Sequence, residues 1–221
     1  MITFFGQTFQ PLTVILFGSA GSGKGTQGDF LISALHLVKL EAGELVREKA
    51  REDSPFGRYV KEVHESGKYL SDEEITRLVE EKITRVPRDR GLLIDGYPRR
   101  IGQAKMLEEA LQRIPRTNVK ALVIEVDEEE LKRRLLNRSV CVNGHILIGR
   151  DYDRCPTCGG AVVVRDYDQN EEAIMKRITF YREEVVPAIE YYRQKGWVVE
   201  VNGEQSVEEV RKEIFRKLGI E

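Results

Sequence analysis

Residues 18–26 carry the residue types that phosphate binding needs, and they directly follow the apolar run of residues 12–17. Their sequence is Gly-Ser-Ala-Gly-Ser-Gly-Lys-Gly-Thr. A buried strand that turns through glycines into a helix leaves unpaired backbone N–H groups directed at one small volume. Lys24 can reach the outer phosphates of a nucleotide, and the hydroxyl of Thr26 can ligate the accompanying Mg²⁺. The pattern favours a polyphosphate site over a plain glycine turn, although Gly25 stands where the strict motif has Ser or Thr.

A second apolar run ends in an acid. Residues 92–94 are Leu-Leu-Ile, and Asp95 follows them, ahead of Gly-Tyr-Pro-Arg. Ligands of α/β proteins collect where parallel strands end, so a phosphate loop after one strand and an Asp after its neighbour form the two parts of a Mg·nucleotide site. The alternative is a local role for Asp95 as a turn former or helix cap.

Phosphoryl transfer spreads charge over phosphate oxygens, which arginine side chains neutralise well. Several arginines stand beside helix starts, strand ends and the borders of a glycine-rich segment. These are Arg47, Arg99, Arg134, Arg138, Arg165 and Arg177. The chain has 35 Lys and Arg, so most of its arginines belong to the solvated surface, and only sequence context singles these out.

Cysteine and histidine residues are grouped at a spacing that suits a metal. Cys155 and Cys158 form a Cys-x₂-Cys knuckle, and Cys141 with His145 offers two further ligands. The set predicts a tetrahedral Zn²⁺ of structural type, since protein groups fill all four positions. The alternative is a group of reduced, unliganded cysteines, and either reading suits a reducing compartment better than a disulfide framework.

Apolar runs alternate with helical repeats along most of the chain. The runs predict strands at residues 12–17, 37–40, 91–95, 121–126 and 197–201. Continuous apolar strands of this kind are typical of a parallel sheet covered by helices on both faces, which gives the fold class α/β. Ser71 with Glu74, and Ser206 with Glu209, predict capped helix starts. Pro187 predicts a bend in the helix of residues 173–192, and residues 139–165 predict a small β-rich insertion.

Charge and hydropathy exclude several classes of protein. Thirty-five Lys and Arg stand against 37 Asp and Glu, a net charge of -2, so no global field favours nucleic acid or an anionic membrane. No apolar segment approaches the roughly 20 residues of a membrane span, and we expect a cytoplasmic location. The apolar N-terminal stretch of residues 1–11 can add a strand, cover the core or meet another subunit, and the sequence leaves these options open.

The motifs resemble, in order, those of the adenylate kinases within the nucleoside monophosphate kinase family, specifically the type with a long, zinc-bearing lid. Residues 18–27 are similar to the family's phosphate loop, with Ala20 in place of the usual Pro. Residues 41–47 (EAGELVR) resemble its monophosphate-binding turn, and residues 93–104 (LIDGYPRRIGQA) resemble its base-reading segment. Residues 133–138 (RRLLNR) and 165–177 resemble the two lid borders, so the likeness runs from about Leu12 to the C-terminus.

The resemblance implies a fold like that of the P-loop NTPases, with a five-stranded parallel sheet and two insertions. The core comprises residues 1–41, 72–137 and 166–221. A helical monophosphate-binding insertion comprises residues 42–71, and a lid comprises residues 138–165. The implied reaction is reversible transfer from ATP to AMP, giving two ADP, with Mg²⁺ as the cofactor of ATP and structural Zn²⁺ in the lid. The expected partners are nucleotides only, and the expected state is a monomer or small homo-oligomer.

The resemblance also implies the roles of individual residues. The ATP site comprises Gly21, Ser22, Gly23, Lys24, Gly25, Thr26, Arg134 and Gln205. The AMP site comprises Ala42, Arg47, Tyr69, Leu70, Gly96, Arg99 and Gln103. The catalytic group comprises Lys24, Asp95, Arg99, Arg134, Arg138, Arg165 and Arg177. Within these sets Arg134 stacks on the donor base, Gln103 bonds the acceptor base, and Asp95 orients the Mg²⁺ shell.

Two departures from the family pattern affect these expectations. Ala42 replaces a Thr whose hydroxyl meets the acceptor nucleotide, as in UMP/CMP kinases, and losing that bond costs about 0.5–1.5 kcal/mol. Gln103 favours adenine, so we expect an adenylate kinase with relaxed acceptor choice and keep a UMP/CMP kinase as the alternative. The second lid border is spaced unusually, which leaves Arg165 and a hinge acid, Asp166 or Asp168, less well defined. A more distant alternative is a zinc-ribbon ATPase that binds nucleic acid.

Overall fold

The computed structural model describes residues 2–4, 7–165 and 168–220, and its centre is a parallel sheet of five strands. The strands, numbered along the chain, are β1 Ile2–Phe4, β2 Gln7–Phe9, β3 Thr13–Phe17, β4 Val38–Glu41, β5 Leu92–Asp95, β6 Val119–Glu125, β7 Arg138–Cys141, β8 Ile146–Ile148, β9 Val162–Val163 and β10 Val198–Asn202. The central sheet has the order β10-β6-β3-β5-β4, and every pairing in it is parallel. The predicted α/β class and five-stranded parallel sheet are therefore confirmed.

Helices connect these strands and cover the sheet. They are α1 Lys24–Leu35, α2 Ala42–Ala50, α3 Pro55–Glu65, α4 Asp72–Arg85, α5 Ile101–Arg113, α6 Glu128–Leu136, α7 Glu171–Phe180, α8 Val186–Arg193 and α9 Val207–Leu218. Both predicted capping boxes are present: the Ser71 hydroxyl accepts the Glu74 N–H at 3.2 Å, and the Glu74 carboxylate accepts the Ser71 N–H at 2.8 Å. Ser206 and Glu209 form the same pair at the start of α9.

Alternate residues of the strands divide the core between the two faces of the sheet. Ile15 and Phe17 of β3 belong to a buried cluster that includes side chains of α4, α5 and α8. Val14 and Leu16 belong to a second cluster, which includes side chains of α1 and α9. Because a strand exposes successive side chains on opposite faces, a continuous apolar strand can be buried only between two helical layers.

The carboxyl ends of three neighbouring strands meet at one edge of the sheet. Leu16 of β3 pairs with Asp95 of β5, and Glu41 of β4 pairs with the same Asp95. The loop after β3, the acid at the end of β5 and the start of α2 therefore lie side by side. This is the edge at which α/β proteins bind their ligands.

Two smaller units with apolar clusters of their own complete the fold. The helices α2 and α3 lie between β4 and α4, and their cluster includes Val60, Leu70 and Leu78. A separate antiparallel sheet has the order β8-β7-β9, and Cys141, Leu147 and Cys155 are buried within it. The predicted β-rich insertion is this sheet.

The C-terminal part of the helical layer contains an irregular segment. After α7, residues Tyr181–Val185 form a π-helical turn, and α8 follows with Pro187 in its first turn. The helix expected over residues 173–192 is thus interrupted by a π-helical turn that ends two residues before Pro187. At the other end of the chain, β1 and β2 pair antiparallel with each other, in a two-stranded sheet separate from the central one. Of the options open for the N-terminal stretch, the described residues form strands.

Candidate active site

The predicted phosphate loop joins β3 to α1, and its glycines adopt backbone angles that other residues rarely take. Gly21 and Gly23 have φ values of 89° and 85°. A Cβ at Gly23 would meet no atom within 4 Å, so the space beside the loop is open, whereas a Cβ at Gly18 would lie 2.4 Å from the Ser22 hydroxyl. The loop leads into α1, which begins at Lys24. A glycine turn with open space at a helix start is a phosphate-binding geometry.

Lys24 is partly buried at a point where cationic side chains converge. Burial lowers the pKa of its ammonium group, and Arg99, Arg177 and Arg138 lower that pKa further by repulsion. Asp95 acts in the opposite direction. A partly desolvated ammonium group near several guanidinium groups is electrostatically unfavourable until an anion joins them. The structure therefore brings Lys24, Asp95, Arg99, Arg138 and Arg177 into one electrostatic group suited to a polyphosphate.

Asp95 offers an unsatisfied oxygen at the same edge of the sheet. Among the described residues, its Oδ1 is buried and has no hydrogen-bond partner. Burial raises the pKa of this carboxyl group and the neighbouring Glu41 raises it as well, whereas Lys24 lowers it. A buried carboxylate oxygen requires a donor or a cation. The water shell of a Mg²⁺ ion supplies such donors, so Asp95 fits the role predicted for it.

A cavity of about 330 Å³ opens beside α2, α3 and the loop after β5. All the acceptor-site residues implied by the resemblance line this one cavity. They are Ala42, Arg47, Tyr69, Leu70, Gly96, Arg99 and Gln103. Its volume falls within the range of small-molecule sites. Phe180 also lines the cavity, and its ring stacks on that of Tyr69 with 6.5 Å between the centroids.

The two arginines of this cavity that the sequence assigned to the acceptor phosphate, Arg47 and Arg99, are held in different ways. Arg47 donates to the Glu44 carboxylate at 2.8 and 3.1 Å and to Glu41 at 3.3 Å. These acidic partners raise the pKa of Arg47, with the Glu44 hydrogen bond as the largest cause. Arg99 donates from Nε to the Gly96 carbonyl at 2.9 Å. Either guanidinium can take up an anionic ligand by exchanging these partners.

Gln103 is almost fully buried, and both ends of its amide are bonded. Its Oε1 accepts the backbone N–H of Arg99 at 2.8 Å, and its Nε2 donates to Asp72 Oδ1 at 2.8 Å. The backbone carbonyl of Gln103 accepts the Tyr97 hydroxyl at 3.2 Å. Main chain and side chain of the predicted base reader are therefore both fixed.

A buried acid holds two of the predicted lid arginines together. Asp168 is fully buried. Arg138 reaches its carboxylate through Nε at 2.9 Å and through a terminal nitrogen at 2.6 Å, and Arg177 reaches it at 2.8 Å. Of the two acids considered for the hinge, Asp168 thus pairs with both arginines, and Asp166 lies outside the described residues.

Other predicted donor-site residues make local contacts. Arg134 donates to Glu130 at 2.7 Å, and hydrogen bonds from Arg133 and Arg134 lower the pKa of Glu130 to about 2. Gln205 donates to the Asn202 carbonyl at 3.1 Å. Arg165 is exposed, and its carbonyl accepts the Asp168 N–H at 2.8 Å. These contacts alone give none of the three a nucleotide role.

The predicted metal ligands come together within the small sheet. The ligand atoms of Cys141, His145, Cys155 and Cys158 all lie within 4.8 Å of one another. The Cys141 sulfur is 3.4 Å from His145 Nδ1 and 3.6 Å from the Cys158 sulfur. A tetrahedral zinc with bonds of about 2.3 Å to sulfur and about 2.0 Å to nitrogen spaces its ligands about 3.5–3.8 Å apart. The cluster thus has the dimensions of a zinc site.

Hydrogen-bond donors around the sulfurs stabilise their thiolate form, although burial raises the pKa of Cys141. The Asn143 backbone N–H points at the Cys141 sulfur at 3.2 Å, and the Asn143 side-chain amide points at the Cys158 sulfur at 3.3 Å. This side-chain hydrogen bond is the largest cause that lowers the pKa of Cys158 to about 7. Metal ligands commonly have outer partners of this kind, which orient them and stabilise their charge.

Sequence reasoning missed several residues in and beside the acceptor cavity, and two of them, Asp72 and Phe180, bear on the site. Asp72 directly follows the helix-capping Ser71, and an acid in a first turn is explained by the helix dipole alone, which hides its contact with Gln103. Phe180 lies in a helical segment among apolar residues of the core, and nothing in its sequence context indicates that it faces a cavity. For Asp168, the only signal is its position at the lid border.

Within residues 2–4, 7–165 and 168–220, no helix is both long and apolar enough to span a bilayer.

Comparison with known proteins gives a consistent result. The family model described as adenylate kinase matches residues 16–197. The adenylate kinase of Petrotoga mobilis is 32% identical over 213 residues, covering 94% of this chain and 97% of that protein. That of Caldicellulosiruptor bescii is 31% identical, covering 95% and 100%. That of Fervidobacterium nodosum is 33% identical, covering 94% and 98%.

Proposed function

The chain belongs to the adenylate kinase family, and from that premise we propose how its residues divide the work of the reaction ATP + AMP → 2 ADP. One observation carries the proposal. Arg99 lines the acceptor cavity, and the same guanidinium acts on Lys24 of the phosphate loop. Because Arg99 lines one site and is near enough to affect the charge of Lys24 in the other, we infer that the two nucleotides meet there and that a phosphoryl group passes between them directly. The UMP/CMP kinase and the zinc-ribbon ATPase are not favoured by the comparisons.

The donor site is formed by the phosphate loop. Backbone N–H groups of residues 21–26 bind the ATP phosphates, Lys24 neutralises them, and Thr26 and Asp95 hold the Mg²⁺ and its water shell. When bound with ATP, Mg²⁺ neutralises phosphate charge and orients the phosphates for in-line transfer. Arg134 and Gln205 complete the site at the base of ATP.

The acceptor site is the cavity beside α2 and α3. Arg47 and Arg99 bind the AMP phosphate, Gln103 reads the base, and Tyr69 and Leu70 pack on the nucleoside. Arg47 must first leave Glu44 and Glu41, with which it now pairs. The Arg47 side chain is therefore expected to move only when the AMP phosphate replaces these two carboxylates as its partner.

Closure of two segments completes the site. Residues 138–165 form the lid, which brings Arg138 and Arg165 over the ATP phosphates beside Arg177, and residues 42–71 close over AMP. Residues 1–41, 72–137 and 166–221 form the core on which both move. Excluding water is necessary because the transferring phosphoryl group would otherwise be lost by hydrolysis.

Zinc has a structural role in this proposal. The spacing of the Cys141, His145, Cys155 and Cys158 ligand atoms supports a four-coordinate ion, which leaves no position for substrate or water. The small sheet around it buries few apolar side chains, so a metal stabilises it more than further packing can.

We propose that selectivity among nucleoside monophosphates is reduced because one hydrogen bond to the acceptor nucleotide, at position 42, is missing. Ala42 lines the acceptor cavity, at the position where the family resemblance implies a Thr. The variant Ala42→Thr should raise kcat/KM on AMP by a factor of about 2 to 12.

A coupled assay with ATP and each of AMP, CMP, UMP and GMP tests the function. We expect AMP to be the best acceptor, with turnover on at least one other monophosphate above a thousandth of that on AMP. Lys24→Met should abolish all of these activities, and a bisubstrate dinucleoside polyphosphate should compete with both substrates. Competition with only one substrate, or no turnover of AMP, would contradict the proposal.

A further inference from the structure

We infer that Asp72 fixes the orientation of the Gln103 amide and so selects acceptor bases by their exocyclic group. The cavity then takes bases with an amino group beside a ring nitrogen acceptor, as in adenine and cytosine. It rejects bases with an oxo group beside a ring N–H, as in hypoxanthine, guanine and uracil. The inference rests on the proposed function, in which Gln103 reads the acceptor base.

Gln103 has two fixed partners of opposite kind. The backbone N–H of Arg99 can only donate, and it meets Oε1 at 2.8 Å. The Asp72 carboxylate can only accept, and it meets Nε2 at 2.8 Å. Rotating the amide by 180° would place donor against donor at Arg99 and acceptor against acceptor at Asp72. One orientation is therefore strongly favoured.

The surroundings keep both partners in place. Asp72 is in the first turn of α4 and lies 3.4 Å from the Arg100 guanidinium, which also pairs with Glu184 at 3.0 Å. Arg100 and the N-terminus of α4 both attract the Asp72 carboxylate and hold it at this position. The Tyr97 hydroxyl also donates to the backbone carbonyl of Gln103 at 3.2 Å, which fixes the main chain of that residue. Gln103 is 6% exposed, so water does not compete for its fixed bonds.

Each end of the fixed amide keeps one free bonding direction. Oε1 has a second lone pair, and Nε2 has a second N–H. Gln103 lines the acceptor cavity, so these are available to a base. Oε1 can accept an exocyclic amino group while Nε2 donates to the adjacent ring nitrogen, which matches adenine and cytosine. A base with an oxo group and a ring N–H would need the rotated amide.

Matched pairs of nucleotides isolate this effect. AMP and IMP have the same size and differ at the exocyclic group and the adjacent ring nitrogen, and CMP and UMP form the equivalent pyrimidine pair. For the wild-type chain we expect kcat/KM to be about 100-fold or more higher on AMP than on IMP, because a buried site rejects a mismatched hydrogen-bonding edge strongly. The same direction is expected for CMP over UMP.

The test compares this ratio among variants at position 72. Asp72→Ala removes the acceptor that holds Nε2, and we expect the AMP-to-IMP ratio to fall at least about tenfold, mainly through a lower KM for IMP. Asp72→Asn retains an oxygen acceptor and should keep the ratio within about threefold. Glu184→Gln changes the other partner of Arg100 without touching Gln103 and should leave the ratio unchanged. Binding of AMP and IMP measured by calorimetry should follow the same order.

The outcomes separate the inference from the function on which it rests. If wild-type protein turns over AMP but Asp72→Ala keeps the wild-type ratio at unchanged thermal stability, the inference is wrong and the function stands. If Asp72→Ala does not fold, Asp72→Ser, which suits a helix start but cannot reach Gln103, gives the same test. A wild-type ratio near one also overturns the inference. Only failure of the wild-type chain to use AMP counts against the function.

Discussion

Replacing Asp168 by Ala should destabilise the protein more than its single position suggests. The fully buried carboxylate is the shared partner of Arg138 and Arg177, whose side chains are 13% and 33% exposed. The variant leaves two guanidinium groups next to each other without their common anion. Removing one partner of a buried ion pair typically costs about 3–5 kcal/mol.

The expected loss lies at the lower end of that range. Arg138 is well buried, and its bidentate contact at 2.9 and 2.6 Å accounts for most of the cost. Arg177 is a third exposed, so solvent screens part of its interaction. We expect Asp168→Ala to lower the free energy of unfolding by about 3 kcal/mol. In a chain of this size this corresponds to a fall in Tm of about 6–12 °C.

Thermal unfolding followed by circular dichroism, with and without tripolyphosphate, measures this effect. The polyphosphate supplies an anion to Arg138 and Arg177, so it should raise the Tm of Asp168→Ala by more than that of the wild-type chain. Glu128→Gln is the matched control. It breaks the exposed pair of Arg182 and Glu128 at 2.9 Å and should cost less than about 1 kcal/mol.

Two results would refute the reasoning. A fall in Tm of less than about 2 °C would mean that the buried carboxylate contributes no more than an exposed one. An equal response of both proteins to tripolyphosphate would mean that Asp168 and the ligand do not share the arginines.

Three further predictions follow from the same site. Because burial lowers the pKa of Lys24, the charge of this side chain opposes folding at neutral pH. Lys24→Met should therefore raise Tm while abolishing activity, and the gain in Tm should shrink as the pH approaches 10.5, the ordinary lysine value. A Tm below that of the wild-type chain at pH 7 would contradict this prediction. Burial and Glu41 both raise the pKa of Asp95 above 3.8, so Asp95 is protonated at a higher pH than an ordinary aspartate. Glu41→Gln should therefore move the acid limb of the kcat/KM profile to lower pH. A shift of that limb to higher pH would contradict the prediction. Metal analysis should find one zinc per chain, and Cys155→Ser should lose the zinc and lower Tm; an unchanged zinc content would exclude Cys155 as a ligand.

Much of the architecture was predictable because it follows from local patterns. Continuous apolar strands require two helical layers, and the glycines with Lys24 require a turn between strand and helix. The metal cluster was predictable for the same reason, since Cys-x₂-Cys spacing by itself brings two sulfurs together. The acceptor-site residues came from family resemblance rather than from physical patterns, and all of them line one cavity.

The long-range hydrogen bonds that position the side chains of the candidate site were not predictable from local patterns. Asp72 and Gln103 are separated by 31 residues, and their pairing depends on how α4 packs beside the loop before α5. Arg138 and Asp168 are separated by 30 residues and meet because the two ends of the small-sheet segment, the proposed lid, lie at the same place. A sequence reports which groups can bond, whereas the partner of a long side chain is decided by packing between distant elements. His145 is the intermediate case, since its spacing suggested a ligand that only the fold brings next to Cys155 at 3.6 Å.

The π-helical turn at Tyr181–Val185 limits how this part of the chain can vary in length. In a regular helix each residue advances the direction of a side chain by about 100°. Deleting one residue from the turn would restore an ordinary helix and rotate α7 relative to α8. Either Arg177 would then turn away from Asp168, or α8 would turn away from its buried contacts. Although the turn lies far from the phosphate loop in sequence, insertions and deletions there should therefore be tolerated as poorly as changes at the proposed catalytic residues.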